Sequence, residues 1–560
     1  MSLSFSAGVA MNLSLLYRYT VFAFCVLFTL ITLPYVVQGE TLHLPFGATL
    51  PRLWMLTTLT GILSVVGVFD LLQQRHAVRR NYPVIGNIRY LIESIRPEIR
   101  QYLIEGDREA LPFSRAQRSM VYARAKEQNA DKAFGTLIDV YEHGFEFMTH
   151  AMLPKPLTDP ATFRVRVGGP ACTKPYETSV FNISAMSFGS LSANAIRALN
   201  KGASLGGFYH DTGEGSISKY HLEYGGDLVW EIGSGYFGCR NEDGTFSPER
   251  FAEQARRPEV KMIEIKLSQG AKPGHGGILP KHKISPEIAA TRGIPMGKDC
   301  ISPASHSSFN TPVELLQFIA QLRELSGGKP VGFKLCIGHP WEFTAIVKAM
   351  LKTGLMPDFI VVDGAEGGTG AAPSEFSDHL GVPLREALMF VNNTLVGTNL
   401  RQHISLGVSG KIISAFDIAR VIAMGADWAN SARGFMFAIG CIQSQSCHTN
   451  QCPTGVATQD PLRQKALVVE DKGDRVYNFH HNTLHALAEM VASAGLKHPS
   501  ELTPRHLAKR ISDTEVRNYL QLFVYLEPGE LLRETIRYEF YRRMWDLAQA
   551  DTFDENPNAL

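Results

Sequence analysis

The sequence predicts an α/β chain, a TIM-like (β/α)8 barrel preceded by a transmembrane helical hairpin and followed by a C-terminal helical extension. Short β-branched or apolar runs alternate with helical stretches from about 178 to 440, the pattern of a parallel α/β fold. Several of those runs end in glycine, polar or charged residues, and a β/α barrel places its chemistry at the C-terminal ends of its strands. At 560 residues the chain also exceeds one ordinary core, so further segments are expected around the barrel. An open doubly wound sheet shares these local patterns and stays open on them alone.

The elements follow in order. Residues 19–37 carry no formal charge and as a helix would extend about 28 Å, close to the hydrocarbon thickness of a bilayer. A second apolar stretch, 53–72, begins with Leu53-Trp54, with Trp54 suited to an interface, and together the two read as a hairpin within residues 1–80. The competing reading is a cleaved signal peptide followed by a buried helix, but the first run is longer than a signal core. Arg75, Arg79, Arg80, Arg89, Arg96 and Arg100 crowd beyond the second span, whereas the connecting loop offers Arg52. The positive-inside rule then gives an inner (cytoplasmic) membrane protein whose large domain faces the cytoplasm. The same arginines also read as a solvated helix face or a contact with anionic headgroups.

Residues 81–170 are polar, helical in parts and without strand alternation, which reads as a membrane-proximal helical arm. The barrel is expected over 171–461, with strands at 180–184, 263–267, 331–335, 359–362, 404–408 and 428–431. Thr311-Pro312-Val313-Glu314 supplies an N-cap, a proline at the first helical position and the glutamate of a capping box, and Leu315, Leu316, Ile319 and Leu322 then share one face. Ser414 and Asp417 start another helix and Gly425 ends it. Residues 462–560 turn helical again.

Lys plus Arg number 55 and Asp plus Glu 54, a balance that leaves no electrostatic footprint for nucleic acid. Eight cysteines are few for disulfide scaffolding, and three of them, Cys441, Cys447 and Cys452, fall in one loop. Thiolates at that spacing suit a three-iron cluster, or a four-iron cluster with an outside ligand. With His448 as a fourth ligand the same loop would serve as structural zinc.

Gly364 to Gly370 follows a strand and lets backbone N–H groups approach a ligand. Ser409-Gly410-Lys411 and Ala432-Arg433-Gly434 have the composition of a phosphate site built from the last two barrel strands. Lys266, Lys272 and Arg292 are candidate cations for a substrate with two carboxylates. A dinucleotide fingerprint at Gly233 to Gly238 is formal only, because Asn241-Glu242-Asp243-Gly244 follows in place of a helix.

Gly440-Cys441, Cys447-His448 and Cys452 to Asp460 resemble the cluster loop of the glutamate synthase family's FMN-binding domain. The likeness continues through Ile183 to Ser190, Thr212 to Gly215, Lys266 to Gly274, Ile301-Ser302-Pro303 and Gly367 to Gly370. It implies the barrel, FMN, a [3Fe-4S] cluster on Cys441, Cys447 and Cys452, and an oxidoreductase that aminates 2-oxoglutarate to L-glutamate. By that resemblance Ala185, Met186, Ser187, Lys334, Gly367, Gly368, Thr369, Gly370, Gly410, Lys411, Arg433 and Gly434 contact FMN, and Lys334 favours the anionic reduced ring. Glu214, Lys266 and Lys334 would be catalytic, and Lys272, Arg292 and Gln269 would bind substrate.

Where the family reads Gly-Glu-Gly-Gly-Gln-Leu-Pro, this chain reads Gly274-His275-Gly276-Gly277-Ile278-Leu279-Pro280, so Ile278 removes an amide that helps hold the keto acid. The chain opens Met1-Ser2 and not on an amidotransferase cysteine, so ammonia or a small amine is expected from outside. Electrons are expected from a protein donor such as ferredoxin. Two other readings remain, the same cofactors acting on another keto acid or an N-alkyl glutamate, and a non-aminating membrane-bound electron carrier.

Overall fold

The computed structural model describes residues 17–39, 53–109, 111–128 and 133–559, in two compact units, 1–109 and 110–560. Arg52 and most of the connecting loop lie outside the described residues.

In the first unit, helices α1 (Thr20–Gln38) and α2 (Leu53–Leu72) pack side by side. Their seam is polar at two points. The Thr29 hydroxyl donates to Thr60 at 2.8 Å and that of Thr57 to Thr32 at 2.8 Å. Most of the remaining surface of both helices is apolar and exposed, as at Leu30, Leu59, Ile62 and Val65. Two shorter helices follow, α3 (Ala77–Asn81) and α4 (Gly86–Ile99).

The second unit is a closed barrel of eight parallel strands: β1 (Phe181–Ile183), β2 (His210–Asp211), β3 (Leu228–Ile232), β4 (Val260–Lys266), β5 (Val331–Leu335), β6 (Phe359–Asp363), β7 (Ser405–Ser409) and β8 (Trp428–Ser431). Each strand pairs with its neighbours in sequence and β8 closes on β1 through Asn430 opposite Asn182. Closure removes the open-sheet alternative. The capping boxes at Thr311/Glu314 and Ser414/Asp417 both form, and they orient helices Pro312–Leu325 and Ala415–Ala423 against the barrel. The span 81–170 is not purely helical: Glu146–Met148 pairs with Leu507–Arg510, and Arg164–Val167 forms a hairpin with Tyr176–Ser179. The C-terminal extension likewise mixes strands with helices, the longest being Val469–Ser493. This helix packs on Ala193–Gly206 where Gly202 leaves room for Val476.

Side chains alternate across a strand, so residues two apart share a face. Toward the strand starts, Tyr209, Val229, Met262, Val361 and Trp428 form a buried apolar cluster closed by Val167 of the hairpin. Two residues further along the same strands stand Asp211, Glu231, Glu264, Asp363 and Asn430, joined by Lys334 from β5. The interior thus changes from apolar to ionic in one step toward the C-terminal end.

Candidate functional site

A cavity of about 710 Å³ opens at the C-terminal ends of the strands, within the ~300–1,000 Å³ usual for small-molecule sites. Ala185, Met186 and Ser187 line it after β1, Glu214 after β2, Lys266, Gln269 and Lys272 from β4 onward, and Arg292 from the helix Pro286–Arg292. Lys334, Gly367 to Gly370, Gly410, Lys411, Arg433, Cys441 and Cys447 complete that wall. Two expected residues are not on it. Gly434 faces Ser431 and Ile413, and Cys452 is 5% exposed behind the loop.

One side is a cluster of charges. Lys266 Nζ lies 3.1 Å from Glu214 Oε1. Burial alone would raise the Glu214 carboxyl, but Lys266, Arg292 and Lys272 outweigh it and hold the carboxyl below its ordinary value. Lys272, buried beside Lys266, donates to the Ala371 carbonyl at 3.1 Å and is depressed, first by burial and then by that neighbour. Arg292 donates to the Phe188 carbonyl at 3.1 Å and Ser187 Oγ at 3.3 Å, while its buried Nε has no partner among the described residues. Gln269 Nε2 reaches Thr369 Oγ1 at 3.4 Å.

The loop after β2 approaches the loop after β1 closely. Gly213 has φ +62°, and a Cβ there would stand 2.7 Å from the Ser187 nitrogen, which restricts the position to glycine.

At the cavity base Lys334 is not an isolated cation. It is ion-paired with Glu231 and lies 3.1 Å from Glu264 Oε1, and Asp211 completes a set of three carboxylates whose oxygens fall within 4.8 Å of one another. Three buried carboxylates around one ammonium cannot all ionise cheaply. Glu264 is pushed up to about 7, first by burial and against the pull of Lys334, and Asp211 is raised well above its ordinary value by burial and by Glu264 and Glu231. Lys334 is thus charge-compensated by Glu231 and Glu264 at the base of the cavity. Sequence reasoning missed Asp211, Glu231 and Glu264, as well as His306, whose Nε2 lies 2.9 Å from the Lys266 carbonyl oxygen.

The opposite side suits an anion. Lys411, at φ +51°, is depressed first by burial and then by the nearby Arg433, and burial takes Arg433 down to about 10 against the opposing pull of Asp363 and Glu366. Neither cation is ion-paired with a carboxylate among the described residues. Arg433 instead donates to the Glu366 carbonyl at 2.8 Å, and its guanidinium sits 4.8 Å from the Phe113 ring centroid. A Cβ at Gly368 would meet Arg433 Nε at 2.8 Å, so the glycine leaves space beside the cations. These residues fit the phosphate of a flavin mononucleotide, in a cavity whose volume suits a small-molecule cofactor.

The cysteine loop is tied down on several sides. Tyr122 donates to the Cys441 carbonyl at 2.6 Å, and Lys283 bonds the Ser190 carbonyl at 2.9 Å and that of Cys447 at 3.3 Å. The three thiols are close enough for ionisation of Cys447 or Cys452 to oppose that of Cys441, which burial already pushes up to about 12. Cys452 differs. Burial would raise it, but the Ala457 N–H, the Thr454 hydroxyl and the Thr454 and Val456 N–H groups outweigh this and favour its thiolate. Among the described residues the ligand-type groups whose donor atoms all lie within 4.8 Å are the carboxylates, not these sulfurs.

The family pattern described as "Conserved region in glutamate synthase" matches residues 171–497. The chain is 38% identical over 511 residues to the glutamate synthase large subunit-like protein YerD of Bacillus subtilis, covering 83% of this chain and 97% of that one. It is 36% identical to the archaeal glutamate synthase [NADPH] of Methanocaldococcus jannaschii over 56% of this chain and 58% of that one, so it spans little more than half of that relative. A solved flavocytochrome b2 with pyruvate bound aligns with 79% of this chain and 91% of its own at 12% identity and TM-score 0.40, too distant to bear on the chemistry. With the barrel, the cation-lined cavity and the pattern match over most of the catalytic unit, the chain belongs to the glutamate synthase family of oxidoreductases.

Proposed function

We propose that this protein reductively aminates 2-oxoglutarate to L-glutamate with FMN and a [3Fe-4S] cluster, taking ammonia from outside and electrons from a protein donor such as ferredoxin. Two electrons and two protons join the keto acid and ammonium, and water leaves. The observation that carries this reading is the placement of Lys266, Lys272 and Arg292 around Glu214 on one wall, opposite Lys411 and Arg433, which form no ion pair with a carboxylate among the described residues. When bound, the cluster passes electrons singly and FMN collects two and supplies a hydride to the imine carbon.

The chain's own residues bind, orient and hold charge. Lys411 and Arg433 take the cofactor phosphate, with Gly368 and Gly410 admitting it. Lys266 and Lys272 take the substrate carboxylates, and Arg292 adds positive charge on the same wall. Glu214 stays ionised, which makes it a weak base and a good acceptor for the N–H bonds of ammonium or the amine product. Glu264 and Asp211, whose carboxyls burial raises, hold protons beneath the cavity base. A bare electron carrier would need no such cationic pocket.

Anchoring is part of the same proposal. Helices α1 and α2 are long and apolar enough to cross a bilayer, and the arginines after α2 support a cytoplasmic orientation by the positive-inside rule.

Photoreduced holoenzyme should be reoxidised anaerobically by 2-oxoglutarate and ammonia together and by neither alone. No reoxidation at full cofactor occupancy would contradict the proposal. Ile278, 39% exposed on the cavity wall, favours a second reading in which another keto acid or an N-alkyl glutamate is the substrate. Faster reoxidation by such a compound than by 2-oxoglutarate would select it.

A further inference from the structure

We propose that α4 is a third membrane element, an interfacial helix lying in the headgroup region of an anionic lipid surface with Ile88, Leu91, Ile92 and Ile95 immersed. The proposal rests on anchoring by α1 and α2 and extends it to a segment that does not span. These four residues recur at helical spacing on one stripe and are 53%, 61%, 53% and 44% exposed. A helix in a soluble domain turns such a stripe inward.

Here the opposite side is the one that is held. Asp70, 1% exposed in the last turn of α2, accepts from the Val84 N–H at 3.0 Å and from Asn87 Nδ2 at 2.5 Å. The Tyr90 ring meets His76 edge-on at 5.1 Å and carries the Arg79 guanidinium 4.5 Å from its centroid. These contacts pin the start of α4 against the end of the span and leave the apolar stripe facing outward.

Position and charge identify lipid as the occupant. The elbow at Asp70 lies where a span of this length leaves the hydrocarbon, so α4 starts at the headgroup level. Arg89 and Arg96 lie seven residues apart on one edge of the helix beside the stripe, Arg100 follows directly after its end, and Arg89 also pairs with Glu93 at 3.3 Å. Arginines on that edge reach lipid phosphates while their stems cover the acyl boundary. The helix combines an apolar face with low net hydrophobicity, which distinguishes an interfacial helix from a spanning one.

The test places a tryptophan reporter in the full chain in nanodiscs of phosphatidylcholine and phosphatidylglycerol with brominated acyl chains. Ile62→Trp reports the span, Leu91→Trp the stripe and Glu93→Trp the face away from the stripe, each read as emission added over the unsubstituted chain. The expected result is strong quenching of Ile62→Trp, about a twofold loss for Leu91→Trp, and an unchanged signal for Glu93→Trp. Quenching at 62 with none at 91 overturns the interfacial helix, and a protein partner covering the stripe would give that result. No quenching at 62 overturns the anchoring itself and this inference with it.

Discussion

Lys266 and Glu214 meet at 3.1 Å inside the cavity, with side chains 10% and 17% exposed, so each holds the other's charge out of bulk water. Lys266→Met leaves Glu214 with only Arg292 and Lys272 to compensate it. The variant should lose about 1–3 kcal/mol of stability in thermal unfolding. Its KM for the keto acid should rise about 10–100-fold, the loss of one charge-assisted hydrogen bond. Lys266→Arg should recover more of the stability than of the KM, because the charge returns in a different geometry.

The carboxylates around Lys334 give a pH signature. Glu264 is pushed up to about 7 from 4.5, so the folded state binds its proton more tightly than the unfolded chain does. Its contribution to stability is fully present below about pH 4.5, falls as pH rises toward 7, and is absent above. Glu264→Gln removes the titration. Between pH 4.5 and 7 the wild-type protein should lose stability relative to this variant, on the order of 3 kcal/mol in total. Parallel stability curves for the two proteins would show that Glu264 is not the group retaining a proton.

Arg433 is the more buried of the two phosphate-site cations. Arg433→Met should weaken FMN binding about 10–100-fold. Riboflavin, which lacks the phosphate, should bind both proteins equally. Fluorescence titration of cofactor-free protein measures both. Equal losses for FMN and riboflavin would move the phosphate elsewhere in the cavity.

Cys452 is the thiol whose surroundings favour thiolate, although it stands behind the cavity wall. Cys452→Ala should purify with FMN but with iron near background. It should lose turnover with reduced ferredoxin by more than about 100-fold, while photoreduced flavin is still reoxidised by substrates. Iron analysis and low-temperature EPR read the first effect, and stopped-flow absorbance reads the second.

Much of this architecture was legible because it is local. Capping boxes at Thr311 and Ser414 involve residues three apart, and the runs at 331–335 and 428–431 coincide with β5 and β8. The strand β2 was not legible, since His210-Asp211 is too short for any period to show. In β3, Leu228-Val229-Trp230-Glu231-Ile232, a charged residue interrupts the apolar run, and its partner Lys334 lies 103 residues away. The same distance hid the ion cluster, whose members come from four strands and converge only when the barrel closes. Phe113, which covers Arg433, comes from before the barrel and carries no motif. Gly and Cys motifs named the cavity wall, whereas the charge balance beneath it needed the fold.

The most direct measurement is glutamate formation by anaerobic holoenzyme supplied with reduced ferredoxin, 2-oxoglutarate and ¹⁵N-ammonium, followed by NMR. The account predicts ¹⁵N-labelled L-glutamate in proportion to the ferredoxin oxidised, one glutamate for every two electrons. Ferredoxin oxidation without labelled glutamate, at full FMN and cluster occupancy, would contradict it.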